Sequence, residues 1–180
     1  MTAYSRELLL QAKELAEREG FTLVHAIVDS VWVHKPGITK DTVEALAEKI
    51  TTTTGMRIAV EGIYRWLIFP PSRTHGRLAV PNRFFGLFED ATLKVRGLEL
   101  RRHDTPRFIT MMQQAVLLVL SKARTPDELH SLVPEAVEVI RAYALELLDG
   151  KVPLSALAIT KQLSQDPESY RKPTDTAIAS

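Results

Sequence analysis

The sequence predicts an α+β fold, an antiparallel sheet backed by two helices and followed by a small helical part. Three features predict it. Apolar residues recur at helical spacing near the start, at Leu8, Ala12, Leu15 and Ala16. Runs rich in β-branched residues and bounded by turn residues come next, beginning with Phe21 to Val28 and Val31 to Val33. After Asp104 the pattern turns helical, with two helix starts written in turn and capping residues.

Taken in order, the first helix is stopped by Gly20. Asp29-Ser30 is a tight turn between the two apolar runs, so the pair reads as a β-hairpin, ended by Pro36-Gly37. Val43, Leu46, Ala47 and Ile50 mark a second amphipathic helix closing near Thr51–Thr54 and Gly55. Strands are expected at about Arg57–Phe69, Arg83–Phe88 and Thr92–Arg96, with Gly86 and Gly97 as strand-end glycines. Pro70 to Asn82 has prolines, a glycine and basic residues, and reads as an exposed loop. Thr105-Pro106 places proline at a first helical position, where its missing N–H costs nothing. Phe108, Met112, Ala115, Val116 and Val119 line one face of that helix. Thr125-Pro126-Asp127-Glu128 is a capping box with proline inside it. Pro134 is expected to break or kink the last helix, which resumes to about Leu148 before Gly150. The polar tail from Gln165, with Pro167 and Pro173, reads as irregular. A boundary is expected near residue 105.

The 180 residues suffice for a normal core, and 45% apolar with 25% charged residues is ordinary for a globular chain. The longest apolar run, Ala115 to Leu120, is far short of the roughly 18 residues of a membrane helix. With Arg6, Glu7 and Lys13 among the N-terminal leucines, no secretory or transit peptide is expected. No cysteine is present, so disulfides, thiol nucleophiles and cysteine zinc sites are excluded together, and the cytoplasm is the expected location. The net charge of +1 hides an asymmetry: Arg57 to Arg107 carries ten Lys/Arg against five Asp/Glu. That segment suits a polyanion, or is a solvated basic face; charge alone leaves both open.

The five histidines, at 25, 34, 75, 103 and 130, include no pair at i+3 or i+4 for zinc. There is no glycine-rich phosphate loop and no Gly-x-Ser-x-Gly elbow. The hairpin tip, Val24 to Val33, is the remaining candidate, and there Asp29 is placed to hold a metal ion. Asp-Ser at a turn also arises for local hydrogen-bonding reasons. Trp32 and Trp66 read as core or sheet-face residues, whereas Tyr64 and Phe84 are candidates for stacking near a nucleotide.

Four blocks in order then carry a resemblance. The hairpin is similar to the third conserved motif of family B DNA polymerases, an Asp-Thr-Asp-Ser between apolar strands, and Tyr4–Leu9 resembles the helix leading into it. Pro81-Asn82-Arg83-Phe84-Phe85-Gly86 resembles the family's Lys-Lys-Lys-Tyr segment. Lys94-Val95-Arg96-Gly97-Leu98-Glu99 with Arg102-His103-Asp104 resembles its Arg-Gly-Leu-Glu and Arg-Arg-Asp blocks. Leu157 to Leu163, ending in Tyr170, looks like the thumb segment.

The resemblance implies a palm sheet over residues 1–104 and a helical thumb base over 105–180, similar to the inactivated prokaryotic branch. It implies that Arg83, Lys94, Arg96, Arg102 and Lys161 meet the backbone or minor groove of primer–template DNA, positioning it without reading sequence. For Arg102 and Arg96 the plain alternative is ion pairing with Asp104 and Glu99. The family's first metal-binding aspartate corresponds to Ile27, so only Asp29 of the pair survives, as a vestigial catalytic and metal residue. The other motifs would lie upstream of Met1. The expected function is sequence-independent DNA binding, with no cofactor for this chain and Mg²⁺ only if the parent is active. The alternatives are part of an active polymerase, and a protein-interaction module meeting other replication or repair proteins.

Overall fold

The computed structural model describes residues 3–27, 30–72, 74, 76 and 78–160. The chain divides after Lys94 into two compact units. The first holds helix α1 (Ala3–Arg18), hairpin β1 (Thr22–Ile27) and β2 (Ser30–His34), helix α2 (Lys40–Thr54), and strands β3 (Tyr64–Ile68) and β4 (Phe84–Phe88). Strand β5 (Leu93–Arg96) completes an antiparallel sheet of order β3-β4-β5 and carries the chain across the division. The second unit continues with a 3-10 turn (Glu99–Arg101), helices α3 (Arg107–Leu120) and α4 (Pro126–Leu148), and the single turn α5 (Leu154–Leu157). The expected α+β class is the one observed.

The first two helices obey their punctuation. Gly20 takes the left-handed conformation (φ 80°) that ends α1. At α2, Thr39 and Thr42 close a reciprocal capping box, and Gly55 (φ 71°) returns its N–H to Thr51 O at 2.9 Å. Their inward faces meet the hairpin in one core: Ala12, Ala16, Phe21, Leu46 and Ile50, flanked by Leu15, Val33 and Ile38. Each large side chain buried there contributes about 2 kcal/mol.

The hairpin pairs from Thr22↔His34 to Ile27↔Ser30, with an extra β1 residue absorbed between Leu23 and His25. The sheet's faces are aromatic. Trp32 meets Phe84 edge-on at 5.4 Å and Phe69 at 6.5 Å, and His25 meets Phe69 at 4.9 Å. Gly86 is required mid-strand rather than at a strand end, because a Cβ there would sit 2.8 Å from the carbonyl oxygen of Trp66.

Three expectations are corrected. Strand β3 is shorter than Arg57–Phe69, since β4 offers a ladder only from Tyr64↔Phe88 to Ile68↔Phe85. Proline 106 is the N-cap of α3, not its first helical residue, and Thr105 gives its hydroxyl to Glu99 O at 2.7 Å instead of capping. Helix α4 runs unbroken through Pro134. The buried Leu129 and Ala136 hold it on either side of the proline, and Thr125 caps it by accepting the Glu128 N–H at 3.2 Å. Glu128 reaches the Arg124 N–H at 2.7 Å, one residue beyond a standard box. Among the described residues no helix is long and apolar enough to cross a membrane.

Candidate nucleic-acid interface

Of the predicted basic residues, Lys94 and Arg96 lie on β5, Arg83 just before β4, and Arg102 just after the 3-10 turn. Arg83 stands just before β4, half-buried, its N–H bonded to Val80 O at 3.0 Å. A turn at Asp90-Ala91 then sends the chain back as β5. There the Asp90 carboxylate accepts the Thr92 N–H at 2.8 Å, and that bond lowers its pKa. Lys94 and Arg96 are two apart on β5, so the pleat sets them on one face, with Leu93 and Val95 on the other. Lys94 is ion-paired with Glu61. Arg96 is exposed and makes no ion pair among the described residues, so the alternative pairing with Glu99 is not formed.

Arg102 is different. Its Nε and Nη2 donate to the two Asp104 carboxylate oxygens at 2.8 and 2.7 Å, a fork that pushes its pKa up. The plain alternative therefore holds for two of its nitrogens, and Nη1 takes no part in the fork. Asp29 and Lys161 lie outside the described residues.

At the hairpin end, Ile27 is half-buried and pairs with Ser30. An isoleucine offers no donor to a metal, and no cluster of three or more His, Cys, Asp or Glu suited to a metal occurs among the described residues. Phe84 is 1% exposed, which removes it as a base-stacking platform. Tyr64 stacks instead on Phe88, with centroids 4.1 Å apart. Its hydroxyl is buried without a hydrogen-bond partner among the described residues. Burial pushes its pKa up to about 12; the nearby Trp32 indole opposes this without closing a hydrogen bond, and the charge of Glu61 adds to it. Trp66, 3% exposed, is core as expected.

Two residues beside these were not singled out from sequence. Arg101 is exposed on the 3-10 turn, and Gln113 of α3 bonds that turn twice. A polar side chain interrupting the apolar face of α3 was the available signal.

The arrangement of two small antiparallel sheets with helices is shared with a solved structure, the family B DNA polymerase from the hyperthermophilic archaeon Pyrobaculum calidifontis. The match has a TM-score of 0.58 and 24% identity, over 95% of this chain and 20% of that one, a likeness of fold. A model described as DNA polymerase family B matches residues 2–179, and the chain belongs to that family. The DNA polymerase of Archaeoglobus fulgidus is 31% identical over 169 residues, covering 94% of this chain and 20% of that protein. DNA polymerase 2 of Aeropyrum pernix is 27% identical over 179 residues, covering 98% and 20%. The chain thus spans about one fifth of the length of these relatives.

Proposed function

We propose that this chain is the palm and thumb-base portion of a family B polymerase and binds duplex or primer–template DNA without sequence preference. Strand β5 is the observation that carries the proposal. Its exposed Arg96 shares a face with Lys94 and has no ion pair among the described residues, in a chain of DNA polymerase family B. A cation left solvated on a regular strand can exchange its water and counterions for a phosphate at little cost in order. By the family resemblance, Arg83, Arg102 and Lys161 are further candidate DNA contacts. The catalytic pair is broken at Ile27, which supports an inactive chain.

Fluorescence anisotropy with a labelled duplex tests the proposal. Log affinity is expected to fall linearly with log salt, by roughly 0.9 per phosphate neutralised. Arg96→Ala is expected to weaken all sequences alike and to flatten that slope by about one unit. No binding at low salt would give the site to a protein partner instead. Template-dependent primer extension by the chain alone, abolished by Asp29→Ala, would refute the inactive reading.

A further inference from the structure

Beyond β5 the chain runs through Arg96-Gly97-Leu98 into the 3-10 turn Glu99–Arg101 and on to Arg102. A turn of three residues has poor hydrogen-bond geometry and little stability of its own. This one is held from α3 by a single amide. Gln113 Oε1 accepts the Leu100 N–H at 2.8 Å, and Gln113 Nε2 donates to the Glu99 carboxylate at 2.8 Å. The Glu99 carbonyl takes two more bonds, from the Thr105 hydroxyl at 2.7 Å and the Arg102 N–H at 2.9 Å. Leu98 is buried beneath the turn. Four bonds thus converge on Glu99 and Leu100 while Arg96, Arg101 and Arg102 remain exposed on either side.

The amide does two things that no other side chain of its size does together. It accepts from a backbone N–H, and it donates to a carboxylate, drawing that negative charge toward α3. Without the donor, the turn loses a tie to α3, and the Glu99 carboxylate, whose charge already acts on Arg102, is held less firmly away from it. We propose that Gln113 is a positioning residue for the DNA contact, holding the turn so that Arg101 and Arg102 face the phosphate chain and Glu99 does not. The inference rests on the DNA-binding function proposed above, and it adds Arg101 to the contact.

The test uses the full chain and a labelled duplex of mixed sequence across a salt series, with circular dichroism to establish that each variant is folded. Gln113→Leu keeps the volume and the net charge but removes both bonds. It is expected to weaken binding roughly tenfold, the scale of one lost charge-assisted contact, and to flatten the salt slope by about one unit. The exchange variant Glu99→Gln/Gln113→Glu reverses the polarity. Residue 99 then donates to a carboxylate at 113, whose second oxygen still accepts the Leu100 N–H. It is expected to bind close to the parent, and the single Gln113→Glu to bind worse than either. A merely structural glutamine would move stability and leave the slope alone. If Gln113→Leu does not fold, Gln113→Glu against the exchange variant decides. A parent that binds while Gln113→Leu matches it in affinity and slope, or an exchange variant no better than Gln113→Glu, overturns the positioning role alone. A parent that binds no duplex at low salt overturns the proposed function and this role together.

Discussion

The hairpin end and the turn after β5 are both short reversals, both sit in blocks that resemble the polymerase family, and they are held by opposite means. The hairpin is seated by packing. Its ladder closes at Ile27↔Ser30, and Trp32 and His25 lie against Phe69 and Phe84. The turn Glu99–Arg101 is held by polar bonds from Gln113 and Thr105. The aromatic seat is built from residues other than Ile27, so the proposed loss of a carboxylate there leaves the hairpin standing. A polar clamp fails when one partner is exchanged, because a buried donor or acceptor is then orphaned. Geometry outlasts chemistry in the first region and depends on it in the second.

The sharpest way to break this contrast is Phe84→Ala. Phe84 is 1% exposed and touches both Trp32 and Phe69, so truncation is expected to cost about 4 kcal/mol in urea denaturation. A cost near zero would mean that the aromatic seat does not hold the hairpin.

Restoring a carboxylate sharpens the contrast. Ile27→Asp places an unpaired, half-buried charge at the hairpin end and is expected to cost about 2 kcal/mol in metal-free buffer. Magnesium is expected to recover part of that loss and to leave the melting temperature of the parent unchanged. Strong stabilisation of the parent by magnesium would show that Asp29 still anchors an ion.

The smallest effect concerns Tyr64. Its folded pKa of about 12 lies above the ordinary value of 10.0, so the folded state holds its proton more tightly than the unfolded chain. The associated stability is complete below pH 10 and is lost as pH rises toward 12. Tyr64→Phe removes a buried hydroxyl without a partner. It is expected to gain about 1 kcal/mol at neutral pH and to flatten the alkaline fall in melting temperature. An unchanged alkaline profile would place that titration elsewhere.

The sequence made legible whatever local chemistry decides. Gly20 and Gly55 end helices by their own conformational habits, and the two helices and the hairpin formed accordingly. Features that depend on partners distant in the chain were not legible. The length of β3 is set by β4, and α4 survives Pro134 because its packed face outweighs one lost backbone bond. Of the site, the basic residues were named from the resemblance, but neither the pairing of Arg102 with Asp104 nor the freedom of Arg96 could be decided before the backbone was placed. Phe84 was a stacking candidate until burial removed it. What Gln113 holds could not be read, because its partners lie 13 and 14 residues away.

The bulge in β1 has a consequence for how the hairpin can vary. Thr22 and Leu23 pair in one register with β2, whereas His25, Ala26 and Ile27 pair one step out of it. Val24, 53% exposed, is the residue the ladder does not count. Drawn into the ladder, Val24 would take Trp32 as its partner and put Ala26 opposite Ser30. Ile27 would then leave the strand. Every side chain from His25 onward would also shift its partner by one step, about 3.4 Å along the strand. With Val24 deleted, by contrast, the same pairs would close over a regular strand. One surface residue in the middle of β1 therefore sets the register beyond it, in which Ile27 pairs with Ser30 at the end of the strand.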